Sequence, residues 1–236
     1  MPVGDVEPDL RIPVPRRLRT ALRLARQGNW SDFWRVTGRK AFPSWAFYAT
    51  DVRIVRLRRV REVAVDLGRF RVRPASLADL PRLSRFHDRQ ERTRGKLEAG
   101  DSCFLAEVDD RLAAVAWFAH DGEYWSRAEG IRFRYGREGC WSYWIEVHPE
   151  FRLRGALLKL WVDSFALLCA RGVTAVYSGI EEANQASVRA HLRLGFEETH
   201  RIQMLRVLGA TLHRARTPQG RWRVAPGTWQ GGDSEN

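Results

Sequence analysis

Apolar and polar positions change period repeatedly along this chain, and each change marks an element. Phe70-Arg-Val-Arg alternates as a half-buried strand does, and Pro74 closes it. Ser76-Leu-Ala-Asp reads as a capping-box variant that opens a helix through about His87. A second helix is predicted over Glu91–Glu98, with Gly100 after it. Ser102–Val108 and Leu112–Ala119 read as strands, and the Asp109-Asp110 turn between them makes a hairpin. Residues 120–139 read as a polar, glycine-containing connection. Trp141–His148 is the next strand. Gly155–Arg171 is apolar on nearly all sides, which predicts a buried helix ended by Gly172. Ala175–Ile180 is a buried strand. Asn184–Leu194 is a helix with Asn at its N-cap and Gly195 at its stop, and Phe196–Val207 is a last strand. This order gives an α+β fold, a mixed sheet flanked by helices with a βαβ crossover in its second half.

Upstream the pattern differs. Four prolines within residues 1–15 suggest an extended arm. Over 16–27, Leu18, Ala21, Leu22 and Ala25 share one helical face and arginines lie mostly off it. Ser31 can cap a short helix running to about Phe42, and Trp45–Val60 suits one or two strands. The expected organisation is therefore a basic N-terminal extension, 1–68, a folded domain, 69–208, and a flexible tail rich in Gly, Pro, Thr and Arg, 209–236.

The net charge is +12, and only Lys40, Lys96 and Lys159 are lysines. Such a charge attracts anions: nucleic acid, an acidic membrane or a nucleotide cofactor. An arginine bias can equally be a compositional habit. The three cysteines, Cys103, Cys140 and Cys169, form no CxxC pair and make an odd number. That argues against a disulfide framework or zinc site and fits a reducing cytoplasm. The start of the chain lacks a signal-peptide pattern, and the longest apolar stretch, Leu157–Ala170, is broken by Lys159 and Asp163.

Two segments carry chemistry. In the first, a strand ends at Pro149, a short turn holds Arg152, Arg154 and Gly155, and a helix begins at once. Amides at a helix start lack intrahelical partners, and the macrodipole makes that end positive. Glycine permits close approach, and two guanidinium groups add charge, so the turn suits a pyrophosphate. Neither GxxxxGK[ST] nor GxGxxG is present. The second segment, Asn184 to Phe196, begins 29 residues after Gly155, room for one helix, a strand and a loop. Within it, Ser187 and His191 are four apart and share a helix face.

In tandem the two segments resemble the GNAT superfamily of N-acetyltransferases. That family shows V-x-P-x-[FY]-[RQ]-x-x-G-x-[GA] and then N-x-x-[AS]-x-x-x-Y-x-x-x-G-F. Here Val147, Pro149, Phe151, Arg152 and Gly155 match, followed by Asn184, Ser187, Gly195 and Phe196. The likeness spans about residues 70–207. It implies that the backbone of Arg152, Leu153, Arg154, Gly155, Ala156 and Leu157 holds the pyrophosphate of acetyl-CoA or another acyl-CoA. It further implies that Val147 hydrogen-bonds the pantetheine arm between two splayed parallel strands, and that Asn184 and Ser187 complete the cofactor set. Leu157 stands where Gly or Ala is usual, and His191 where Tyr is frequent. No metal is expected.

Transfer from a thioester to an amine needs a neutral amine, a stabilised oxyanion and a protonated leaving thiol. Strand alternation is expected to put Ser142, Trp144 and Glu146 on one face, opposite Ile145 and Val147. Among Tyr143, Trp144 and Ile145, the Glu146 carboxylate would have its pKa raised and serve as general base. His191, with an ordinary pKa of about 6.5 against about 8.5 for a thiol, could return the proton. The Val147 amide would polarise the thioester carbonyl, a donor whose loss costs ~3 kcal/mol. Trp125, Trp141 and Trp144 could line a substrate pocket. Cys140 and His148 point to opposite faces and do not make a nucleophilic pair.

The resemblance therefore implies an N-acyltransferase that moves an acetyl group from acetyl-CoA to a primary amine through a ternary complex. The alternatives are a longer-chain transferase fed by acyl-CoA or acyl carrier protein at the membrane surface, and an inactive binding module. The expected partner is a small-molecule or polymer-precursor amine. The basic extension leaves peripheral contact with an anionic membrane open, with nucleic acid ranked last and oligomerisation undecided. The expected location is the cytoplasm or the inner face of the membrane.

Overall fold

This computed structural model describes residues 47–61, 67–84, 86, 90–126, 130–208, 210–216, 222–225 and 228–230. The arm and the two helices expected before residue 43 lie outside them. Residues 50–204 and 211–236 form one unit, and the cores and the site belong to it. Twelve strands are present among the described residues: β1 (Phe47–Leu57), β2 (Arg71–Pro74), β3 (Ser102–Val108), β4 (Arg111–Ala119), β5 (Glu123–Ser126), β6 (Ile131–Arg134), β7 (Gly139–Val147), β8 (Ala175–Glu181), β9 (Glu197–Val207), β10 (Ala210–Arg216), β11 (Trp222–Ala225) and β12 (Thr228–Gln230). The helices are α1 (Leu80–Leu83), α2 (Gln90–Glu98), α3 (Ala156–Cys169) and α4 (Gln185–Leu194).

Nine strands form one sheet in the order β11-β10-β9-β1-β8-β7-β4-β3-β2, and β12-β6-β5 form a second. Within the large sheet β7 and β8 run parallel, while β1–β8, β2–β3, β3–β4, β4–β7 and β10–β11 are antiparallel. The β3–β4 hairpin closes at Asp109 and Asp110, both with positive φ, a conformation aspartate tolerates in a two-residue turn.

One face of the large sheet buries Val55, Phe118, Cys140 and Val176 against Leu160, Trp161 and Phe165 of α3 and Val188 and Leu194 of α4. The other face has two covers. Leu83 of α1 and Leu97 of α2 lie over Leu105, Val115 and Trp117. Ile131 and Phe133 of β6 and Trp229 of β12 cover Ile54, Trp141 and Tyr177. No helix among the described residues is long and apolar enough to cross a membrane.

Four expectations need correcting. The stretch 120–139 carries the β5–β6 hairpin, held by aromatic residues that bury against Trp141. The expected tail at 209–236 contributes β10, β11 and β12. The boundary at 68/69 falls after β1, yet β1 is interior to the sheet and pairs with β8 from Val52↔Glu181 to Leu57↔Val176. Finally, α3 buries a stripe through Leu160, Trp161, Ser164, Phe165 and Leu168, while Ala166 and Cys169 are exposed.

Before α1, Ser76 caps a 3-10 turn. Its N–H and hydroxyl donate to Asp79 Oδ2 at 2.9 and 3.2 Å. Arg73 grips the buried Asp79 through both guanidinium NH groups and reaches Glu107 at 2.9 Å. Arg73 holds the Asp79 carboxyl down at about 2. A depressed carboxyl adds stability that is complete above its unfolded value near 3.8 and disappears as pH falls through 2. Urea unfolding of Asp79→Asn is expected to show ~2 kcal/mol less stability at neutral pH and a flatter acid limb between about pH 4 and 2.

Candidate active site

The site begins with one extra residue in β7. Trp117 pairs with Trp144 and Phe118 with Ser142, so Tyr143 is a bulge. β7 pairs with β8 from Gly139↔Ala175 only as far as Ser142↔Ser178. Beyond the bulge β7 stays on β4, down to Val147↔Ala114, and β8 stays on β1, up to Glu181↔Val52. The two parallel strands therefore separate while each keeps its outer partner. The His148 N–H donates to Ala113 O on the β4 side at 2.8 Å. By alternation, Ile145 and Val147 turn their backbone groups toward the opened edge.

The bulge also shifts the side-chain faces. Ser142 pairs with Phe118 on the α3 side, whereas Glu146 pairs with Val115 and Trp144 with Trp117 on the α1/α2 side. The expectation that Ser142, Trp144 and Glu146 share a face is corrected: an inserted residue reverses the parity. Ile145 and Val147 pack on the α3 side.

At the end of β7, Pro149–Phe151 form a 3-10 turn. Phe151 is buried edge-on against Phe70. Leu153 is fully exposed with φ +61°, and Gly155, the N-cap of α3, has φ +89°. The positive φ favours glycine, and a Cβ there would lie 2.6 Å from Leu67 Cδ2, so that side-chain tip would have to shift. The first intrahelical bond is Lys159 N to Gly155 O at 2.9 Å. The amides of Leu153, Gly155, Ala156, Leu157 and Leu158 find no acceptor among the described residues. Arg69 donates to the Arg154 carbonyl at 2.6 Å and Arg152 Nε to the Val147 carbonyl at 3.3 Å. Both contacts tie down oxygens and leave the donors facing out. An opened strand edge thus runs into a row of outward amides at a positive helix end, ringed by exposed Arg152 and Arg154.

Sequence comparison agrees with this geometry: residues 71–196 match the acetyltransferase (GNAT) family. The chain belongs to that family. Solved GNAT structures resemble it at low identity. Ribosomal-protein-alanine N-acetyltransferase from Brucella melitensis is 21% identical, with 62% of this chain and 99% of that one covered and a TM-score of 0.46. A putative acetyltransferase from Novosphingobium aromaticivorans is 18% identical, covering 66% and 62%, with a TM-score of 0.48. The putative acetyltransferase yncA of Salmonella typhimurium, solved with its cofactor acetyl-CoA, is 21% identical, covering 55% and 80%, with a TM-score of 0.41. No curated protein matches. As a GNAT protein the chain is of the N-acyltransferase class.

The second GNAT segment folds as α4. Asn184 caps it by accepting from Ser187 N at 3.2 Å, and Gly195 ends it with φ +104°. His191 is buried, edge-on to Trp161 and Phe196, with Nδ1 2.8 Å from Ser187 O. Its Nε2 has no partner among the described residues. Burial pushes its pKa down to about 4. This differs from a helix-surface imidazole titrating near neutrality: Val188, His191 and Leu194 form the buried stripe.

Glu146 is half-buried on the α1/α2 face, and its Oε2 accepts from Trp144 Nε1 at 3.3 Å. Ile145 packs on the opposite, α3 side and does not enclose the carboxylate. Trp125 and Trp144 are exposed, while Trp141 is core, stacked on Phe133 at 4.2 Å, so the three tryptophans do not line one pocket. Cys140 is buried on the α3 side, and burial raises its thiol far above the ordinary value. The sequence reading missed Arg69, Lys96 and Asp101. Lys96 places Nζ 4.3 Å from the Tyr143 ring centroid, and Asp101 Oδ2 accepts from the Tyr143 hydroxyl at 2.7 Å.

Gly155→Ala is expected to cost ~1–2 kcal/mol in thermal unfolding, since alanine must enter the left-handed region and displace Leu67. His191 has a folded pKa below its unfolded one, so its contribution is complete above about 6.5 and is lost as pH falls through about 4. Urea titrations should show a stability slope across that window, worth up to about 3 kcal/mol, that His191→Leu removes.

Proposed function

We propose that this GNAT protein transfers an acetyl group from acetyl-CoA to a primary amine by direct attack within a ternary complex. The observation that carries the reading is the parallel pair β7/β8, which separates after Ser142↔Ser178 and leads into the acceptor-less amides of the Gly155 turn. A pyrophosphate with an extended amide-bearing arm fits both parts. The amides of Leu153 and Gly155–Leu157, with Arg152 and Arg154, would hold the pyrophosphate. The edge of Ile145 and Val147 would pair with the arm. An Ala or Gly in place of Leu157 is not needed for this, because a backbone amide is the donor. Asn184 and Ser187 would act by fixing α4, whose cap they form.

Bound acetyl-CoA supplies an acyl group activated as a thioester. The chain supplies the rest. Glu146 lies beside the opened edge on the α1/α2 face, with Oε1 unengaged among the described residues, and would take the proton from the incoming ammonium. The Val147 amide would donate to the acyl oxygen. His191 is left out of the proton path, since an imidazole titrating near 4 has no proton to give at neutral pH. The acceptor would be the amine of a small molecule or polymer precursor, drawn by carboxylate and aromatic groups on this face.

Calorimetry with acetyl-CoA and palmitoyl-CoA tests the reading. Acetyl-CoA is expected to bind, and binding of neither ligand overturns it. With an amine acceptor found by thiol release, Glu146→Gln is expected to lower kcat by about 10²-fold at unchanged acetyl-CoA affinity. Unchanged turnover would remove Glu146 as the base.

A further inference from the structure

Lys96 stands near the C-terminal end of α2, and its ammonium faces aromatic rings. Nζ lies 4.3 Å from the centroid of Tyr143, 5.2 Å from Trp117 and 5.7 Å from Trp144. Three ring faces about one cation make the kind of cage that recognises an alkylammonium. The cage is fixed from outside. The Tyr143 hydroxyl donates to Asp101, and its ring stacks on Tyr124 at 5.1 Å. Trp144, whose indole also holds Glu146, joins the cage to the carboxylate proposed as base. The next residues, Ile145 and Val147, carry the opened edge. Of the other lysines, Lys159 pairs with Asp163 at 2.9 Å and Lys40 lies outside the described residues.

We infer that Lys96 is an acyl acceptor within the chain: the site acylates Lys96 Nζ from acyl-CoA when no external amine is present. This rests on the acyltransferase reading. The ammonium first gives one proton to Glu146 or water. The nitrogen lone pair then forms the N–C bond to the acyl carbon, and the C–S bond breaks with its electron pair on sulfur. The nitrogen's second proton ends on that sulfur. The products are an uncharged amide at Lys96 and the free thiol of CoA, with no change of oxidation state.

The surroundings favour a reactive amine. Removal from water, with Arg92 on the same helix, lowers the Lys96 pKa to about 8, against the opposing pull of Asp101 and Cys103. Roughly a tenth of such an amine is neutral at pH 7, far more than of an ordinary lysine near 10.4. Its product carries no charge, so acylation would also end the cation–π hold.

The full-length protein is incubated with acetyl-CoA or palmitoyl-CoA, digested and mapped by mass spectrometry. Lys96 is expected to be acylated at least about tenfold faster than Lys159, the gain expected of an oriented amine. Excess desulfo-CoA is expected to suppress labelling at Lys96 alone. Equal labelling of the lysines, or Lys96 labelling indifferent to desulfo-CoA, overturns the inference. Isotope-edited NMR of the lysine side chains supplies a readout without any acyl donor. The Lys96 amine is expected to titrate near about 8, and a value above about 10 overturns the inference. Calorimetry on the same sample separates the two claims. Binding of acyl-CoA without Lys96 acylation overturns this inference alone, and absence of binding overturns both.

Discussion

The bulge at Tyr143 is the constraint on which the site depends. A parallel pair inside a wide sheet would normally stay hydrogen-bonded along its length, because an unpaired buried backbone group is costly. Here one inserted residue turns β7 away from β8 after Ser142. The separation is tolerated because both strands keep their outer partners, β4 and β1. The exposed edge is therefore rigid on one side and open on the other. Such an edge accepts an extended, amide-bearing ligand with little reorganisation.

Charge is divided between the two ends of this opening. At the Gly155 turn, Arg69 and Arg152 each hold a carbonyl, and the row of amides faces out at the positive end of α3. On the α1/α2 face the charges are mixed: Glu146 accepts from Trp144, Asp101 accepts from Tyr143, and the Lys96 ammonium faces both of those rings. On the proposed reading, the first end would hold an anion and the second an amine that must lose a proton.

What the sequence made legible follows from how local each requirement is. The Gly155 turn, the Asn184 cap and the Gly195 stop each depend on a few neighbouring residues, and they stand where the residue types placed them. The register of β7 is different. Whether Ser142 shares a face with Trp144 depends on how β7 pairs with β4, and no alternation pattern contains that pairing. β5, β6 and β12 are three or four residues long and pack on Trp141 and Tyr177, which belong to other strands, so their own residues do not announce them. For His191 a signal did exist. Val188, His191 and Leu194 recur every three residues, the spacing of a buried stripe, and its polar side chain concealed that.

The same inserted residue accounts for the amine-facing side of the site. In a regular strand, successive side chains point to opposite faces. Tyr143 and Trp144 are consecutive, yet both meet the Lys96 ammonium, and Trp117, the third ring, is the cross-strand partner of Trp144. Only a bulge brings two adjacent aromatic residues onto one face. A single register shift therefore opens the edge through Ile145 and Val147 and, one residue earlier, closes an aromatic cage around an amine. The opened edge and the aromatic cage are coupled through the backbone of residues 142–147, so neither can be altered by repacking β7 without disturbing the other.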